Sequence, residues 1–202
     1  GNNAHLLAAF EQTTDSIKVV VHALKQNEQL QIQNAEVLLP IELKSTAAIP
    51  PQFVRLGIQK YIFIQDEAHR LYAFDESGNL RWEKELEDRI LSKIHLLENG
   101  NLLFNTTFRV HLYDIEGQVK SGYPFELQPK ATLGLQLVDF TQSGRYHYLL
   151  ACENGSIYGY DLEGNTLEGW SPKDSIGSNI RSIQHFQNAE RDFIVVGADS
   201  TI

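Results

Sequence analysis

The feature that most constrains this chain is a bend that occurs three times. Arg70 onward reads RLYAFDESGNLRW, Arg109 onward RVHLYDIEGQVKSGY, and Ser156 onward SIYGYDLEGNTLEGW. Each copy runs from an apolar strand into Asp-x-x-Gly and ends on a large aromatic. The aspartates Asp75, Asp114 and Asp161 lie 39 and 47 residues apart, the length of one four-stranded blade in propeller repeats. An Asp opening a type I turn caps backbone N–H groups with its carboxylate. A Gly three residues on, here Gly78, Gly117 or Gly164, takes the positive φ that restores strand pairing. The aromatics Trp82, Tyr123 and Trp170 follow their glycines by 4, 6 and 6 residues. These offsets are all even, so regular strands would put the three rings on the same sheet face.

Each bend is preceded by two further strands. The hairpin pairs are YIFIQ with RLYAF, NLLFN with RVHLY, and YLLAC with SIYGY, the last turning at Asn154-Gly155. Earlier still come PQFVRL, SKIHLL, LGLQLVDF and RSIQHF as first strands, and DFIVVGADSTI opens a fourth copy without its own bend. Leu71, Val110 and Ile157 lie on one side of the third strands, with Phe74, Tyr113 and Tyr160 on the other. Sheets that are apolar on both faces must stack side by side. The expected fold is therefore all-β: a partial β-propeller of four-stranded antiparallel blades, three full units and a truncated fourth. The units fall at about 41–84, 85–124, 125–171 and 172–202, within a propeller region of 36–202. Residues 1–35 do not fit the repeat. LLAAFEQ and IKVVVHAL flank Thr13–Ser16 as a β-hairpin leader or the tail of a preceding domain, and Pro50-Pro51 marks entry into the first unit.

Composition narrows the partners. Seventeen Lys and Arg against 26 Asp and Glu leave a net charge of −9, which repels phosphate backbones and anionic lipid. Nucleic acid is thereby excluded as a partner. No apolar run reaches the roughly 18 residues of a membrane span, so direct membrane insertion by this segment is excluded too. Ten Phe, eight Tyr and two Trp demand a packed core. Cys152, the single cysteine, rules out an internal disulfide and reads as a small buried hydrophobe in YLLAC. The chain has no Met and stops in mid-pattern at Ser200-Thr201-Ile202, so it reads as a fragment of a longer parent whose targeting signals are not legible here.

These repeats resemble those of bacterial propellers of the pyrroloquinoline-quinone-like, or quinoprotein-dehydrogenase-like, superfamily, whose units read roughly G-x-[LIV]-[YF]-A-[LF]-D-x-x-[TS]-G-x-x-x-W. GSIYGYDLEGNTLEGW matches with two extra residues, while the second copy carries Arg109 for the first Gly and Tyr123 for the Trp. The resemblance covers about residues 41–202. It implies blade architecture, and the endings SGYPF and EGWSP point to the uncharacterised, envelope-associated branch and hence to a cell-envelope or periplasmic location. A dehydrogenase of the superfamily would bring a cofactor cage, a calcium ion and often a vicinal cysteine pair, and those motifs are lacking.

The remaining chemistry reads as structure. DESGN, DIEGQ and DLEGN are similar to calcium loops, but the third positions are Ser77, Glu116 and Glu163 and no acidic residue stands two places after the Gly, so hairpin turns are expected and no metal or cofactor. The histidines at 5, 22, 69, 95, 111, 147 and 185 form no H-x-H, H-x-x-x-H or H-E-x-x-H. His111 stands where sister copies carry Tyr72 and Tyr158 and is expected to pack. No G-x-S-x-G elbow exists. The expected function is a non-catalytic interaction or scaffold module whose partner is another protein or the rest of the parent chain. The alternative is a fragment of a quinoprotein-like enzyme or ligand sensor with its active site elsewhere. Open blade edges imply an incomplete ring or contact with a second copy.

Overall fold

A computed structural model describes residues 5–12, 17–24, 41–168, 170, 179–188 and 191–199. The Thr13–Ser16 bend, the boundary near residue 35, the unit boundary at 171–172 and the residues after 199 lie outside the described residues. Every regular element among the described residues is a β-strand. The first sheet contains β3 (Gln52–Leu56), β4 (Gln59–Gln65), β5 (Arg70–Asp75) and β6 (Leu80–Glu85), in that order and all antiparallel. The second repeats it with β7 (His95–Leu96), β8 (Leu102–Asn105), β9 (Arg109–Tyr113) and β10 (Phe125–Glu126). A third holds β11 (Gln136–Val138), β12 (His147–Ala151) and β13 (Ile157–Asp161), with Tyr160 bridged to Thr166 after the bend. β14 (Ile180–Asn188) with β15 (Arg191–Ala198) forms a fourth sheet, and β1 (His5–Gln12) with β2 (Ile17–Leu24) a separate antiparallel pair. The chain is thus a partial β-propeller of successive antiparallel blades.

Meanders form because the connections are short and the strands two-faced. Successive side chains in β8 alternate between the first and third sheets, and those in β4 between the second sheet and the segment carrying Ile41, Leu43 and Ala47, so most residues there are buried. One apolar layer, with Phe63, Leu71, Leu102 and Phe104, lies between the first and second sheets. Another, with Leu103, Val110, Tyr148 and Leu150, separates the second from the third. Leu149, Ala151, Ile157, Ile180 and Ile183 join the third to the fourth. First strands of adjacent sheets approach each other, β3 with β7 and β11 with β14, so they form the inner rim from which the sheets fan out.

Two fully buried amides bind the first and second sheets to the segment entering the next. Gln65, at the end of β4, accepts from Ile90 N at 2.8 Å and donates to Asp88 O at 2.9 Å. Asn105, at the corresponding end of β8, accepts from Leu135 N at 2.8 Å and donates to Thr106 O and Leu133 O at 2.8 and 3.2 Å. The third sheet carries Ala151 at that place. Asn105→Leu keeps the branched shape but strands a buried N–H and two carbonyls, so urea unfolding should show a loss of about 3 kcal/mol. A midpoint unchanged from wild type would show that the amide is not a staple.

Candidate functional site

The three marked bends are built alike. Gly78, Gly117 and Gly164 have φ of 80°, 78° and 85°, and each donates its N–H to the carbonyl of its aspartate at 3.0 to 3.1 Å. Asp75 Oδ1 accepts from Ser77 N and Asn79 N at 2.9 and 3.0 Å. Asp114 Oδ1 takes Glu116 N and Gln118 N at 3.1 and 2.8 Å, and Asp161 Oδ1 takes Glu163 N and Asn165 N at 3.0 and 2.7 Å. Burial alone would raise the Asp75 carboxyl, but the N–H groups aimed at it outweigh that and lower it. One carboxylate oxygen of each aspartate is therefore already engaged by its own turn. Among the described residues, no group of three or more His, Cys, Asp or Glu is arranged to hold a metal ion.

The aromatics reach from one sheet to the next. Trp82 Nε1 donates to Ile115 O at 2.8 Å, and its ring lies so close to Gly117 that a Cβ there would meet Trp82 Cδ2 at 2.8 Å. Tyr123 Oη donates to Leu162 O at 2.8 Å. Ile115 and Leu162 each follow a bend aspartate, so the two contacts are equivalent one sheet apart. The two-residue insertion before Tyr123 and Trp170 is taken up in a tight turn, closed by Tyr123 N to Lys120 O and Trp170 N to Leu167 O, each 3.1 Å. Trp82 joins the layer toward the second sheet, Tyr123 that toward the third and Trp170 that toward the fourth. Trp170 differs in its hydrogen bond, which returns to Ile157 O of its own sheet at 2.9 Å. Beside it opens a pocket of about 410 Å³ lined by Phe140, His147, Leu167, Glu168 and Trp170.

Convergent polar chemistry occurs where no motif marks it. A cleft of about 570 Å³ at the junction of the second and third sheets is lined by residues including Glu87, Phe108, Arg109, Glu126, Lys130 and Glu153. Four connections supply it: the segment leaving the first sheet, the β8–β9 turn, the strand-to-strand passage after β10, and the β12–β13 turn that carries Glu153. Phe108 is exposed, with Lys130 Nζ 5.0 Å above its ring. Arg109 bridges Glu126 at 3.2 Å and Glu87 at 3.9 Å.

Beneath the floor of this cleft, Glu87 receives Thr106 Oγ1 and lies 3.4 Å from His111 Nε2. His111 is buried, stacks on Phe104 with centroids 5.0 Å apart, and has Nδ1 3.3 Å from Tyr113 Oη. A consistent proton assignment has Tyr113 O–H donating to Nδ1 and Nε2–H donating to Glu87. His111 thus packs, as expected, but is also the middle of a relay that sequence reasoning missed, because Glu87 lies 24 residues away in a connection without pattern. Burial would raise Glu87, yet the bonds from His111 and Thr106 prevail and lower its carboxyl to about 2. Burial and then the Glu87 charge push Tyr113 up to about 12. Cys152, at the end of β12, is buried and pushed up to about 11 by burial and Glu153, which keeps it protonated at neutral pH.

No family model matches the chain, and no curated protein matches it. Solved structures do. Two are crystal structures of BBS1N in complex with ARL6DN, one soaked with mercury and one with lead. Both have a TM-score of 0.61 at 15% identity, covering 96% and 91% of this chain and 61% and 56% of the other. BamB from Moraxella catarrhalis is similar over 75% of this chain and 45% of its own, at 17% identity and a TM-score of 0.49. The chain spans about three-fifths of the length of BBS1N. Fold and likeness together define its class as β-propeller.

The relay sets an acid dependence. A carboxyl lowered from 4.5 to about 2 contributes stability that is full above the unfolded value and is lost as pH falls through that interval. Glu87→Gln should therefore flatten the fall in urea midpoint between about pH 5 and pH 2, and cost on the order of 2 kcal/mol at neutral pH. Parallel pH profiles for variant and wild type would contradict the assignment.

Proposed function

We propose that this chain is a non-catalytic propeller module that holds a protein partner, with the Phe108–Arg109 cleft as the contact surface. The observation that carries this reading is the make-up of the cleft: an exposed ring, two cations and three carboxylates on four connections held in place by buried hydrogen bonds. Such a rim, apolar at one point and charged around it, suits a polypeptide segment. The reactive groups nearby are committed internally: Glu87 to Thr106 and His111, and the Cys152 thiol to its buried site. BBS1N, of the same fold, was crystallised in complex with ARL6DN, which supports a propeller of this kind as a platform for another protein. The repeats support membership of the pyrroloquinoline-quinone-like group and, through it, work at the bacterial cell envelope.

A displayed random-peptide library selected on the intact chain tests the proposal. Selected peptides should lose at least about tenfold in affinity for Phe108→Ala or Arg109→Ala, while both variants keep the wild-type urea midpoint within about 0.5 kcal/mol. Equal binding to both variants would remove the cleft from the account. Turnover of an alcohol or sugar with added quinone and calcium would refute the non-catalytic reading.

A further inference from the structure

The charges of the Phe108–Arg109 cleft are unevenly committed. Three carboxylates, Glu87, Glu126 and Glu153, stand against two cations, Arg109 and Lys130, so the lining is negative in excess. Arg109 is held by Glu126 at 3.2 Å and by Glu87 at 3.9 Å. Glu126 and Glu153 are exposed. Oε1 of Glu126 meets Arg109, and Oε1 of Glu153 takes Lys130 N at 3.4 Å. Both Oε2 atoms lack a hydrogen bond among the described residues. The free hydrogen-bonding capacity of the cleft is thus anionic, in a chain whose net charge of −9 already draws cations.

Lys130 gives an independent sign. It makes no ion pair among the described residues, and its Nζ stands 5.0 Å from the centroid of the Phe108 ring. The ring face is therefore where this cleft places a cation. The Lys130 backbone is anchored, its N–H by Glu153 Oε1 and its carbonyl by Glu153 N at 2.9 Å. Its side chain is exposed and flexible, so it can swing aside without disturbing that anchor. The lysine fills, from within the chain, the place that a partner's cation would take.

We infer that the cleft takes a basic polypeptide segment, one of whose arginine side chains lies on Phe108 in place of Lys130 while Glu126 and Glu153 receive its N–H groups. The inference rests on the reading of the cleft as a contact surface and names the chemistry of its partner. A planar guanidinium suits the site better than the ammonium it displaces, because it stacks on the ring and still offers donors at its edge. An acidic segment would meet the excess carboxylates and an Arg109 that is already paired. Lys130 is then a competitor, covering the ring in the free chain and leaving when the arginine enters.

Clones from the random-peptide library, sorted on the intact chain and on its variants, decide the matter. Those that lose affinity on Phe108→Ala should be enriched in arginine. They should bind Lys130→Gln at least about threefold more tightly, because the competitor is gone. Between about 50 and 500 mM NaCl they should weaken about tenfold, and the double variant Glu126→Gln/Glu153→Gln should lose most of that salt dependence. Phe108-dependent clones that are acidic or uncharged, that ignore salt, or that do not gain on Lys130→Gln overturn the basic-segment inference and leave the cleft as a contact surface. Clones indifferent to Phe108→Ala overturn the cleft reading itself, and this inference with it.

Discussion

The structure depends on a ring laid over a turn in the neighbouring sheet. Trp82 covers Gly117 and bonds to Ile115 O; one sheet along, Tyr123 bonds to Leu162 O while Phe125 lies against Gly164. Gly117 is constrained twice, because its φ of 78° disfavours a side chain and the indole leaves no room for one. The aspartate holds the bend in the shape that presents the next carbonyl to the ring. Local turn chemistry and contact between sheets are therefore one interaction, and the motif repeats because each sheet needs it to receive its neighbour.

Burial follows from that geometry. Each inner sheet is apolar on both faces and cannot bury them alone, so stability is shared between neighbours as in other repeat architectures. Between sheets, apolar area supplies the driving force, while Gln65 and Asn105 fix alignment by satisfying the backbone of the incoming segment. Each amide sits at 0% exposure with its polar atoms paired, where an unpaired group would be costly. The Glu87–His111–Tyr113 relay does the same under the cleft, and it holds the connection that carries Glu87 against the turn that carries Phe108 and Arg109.

Much of the fold was legible because it rests on local rules. The turn, the glycine φ and the alternation of β4–β5 and β8–β9 are encoded within a dozen residues. What remained hidden is non-local. Asn105 closes an apolar strand and looks like any loop-edge polar residue until Leu133 and Leu135 come beside it. Glu87 and His111 meet only when the first and second sheets stack. The fourth strand of the second sheet also differs from the pattern: it begins beyond Pro124, which has no N–H for a ladder. The cleft gave no sequence signal, since its residues come from four connections with no shared spacing.

A double-mutant cycle between Trp82 and Gly117 tests the central interaction most directly, with urea unfolding of Trp82→Leu, Gly117→Ala and the pair. If the ring rests on the glycine, Gly117→Ala costs both φ strain and displacement of the indole in the wild type but only the strain once the indole is gone. The coupling should then exceed about 1 kcal/mol. Costs that add to within about 0.5 kcal/mol would mean that ring and turn are independent, and the account of how the sheets are joined would be wrong.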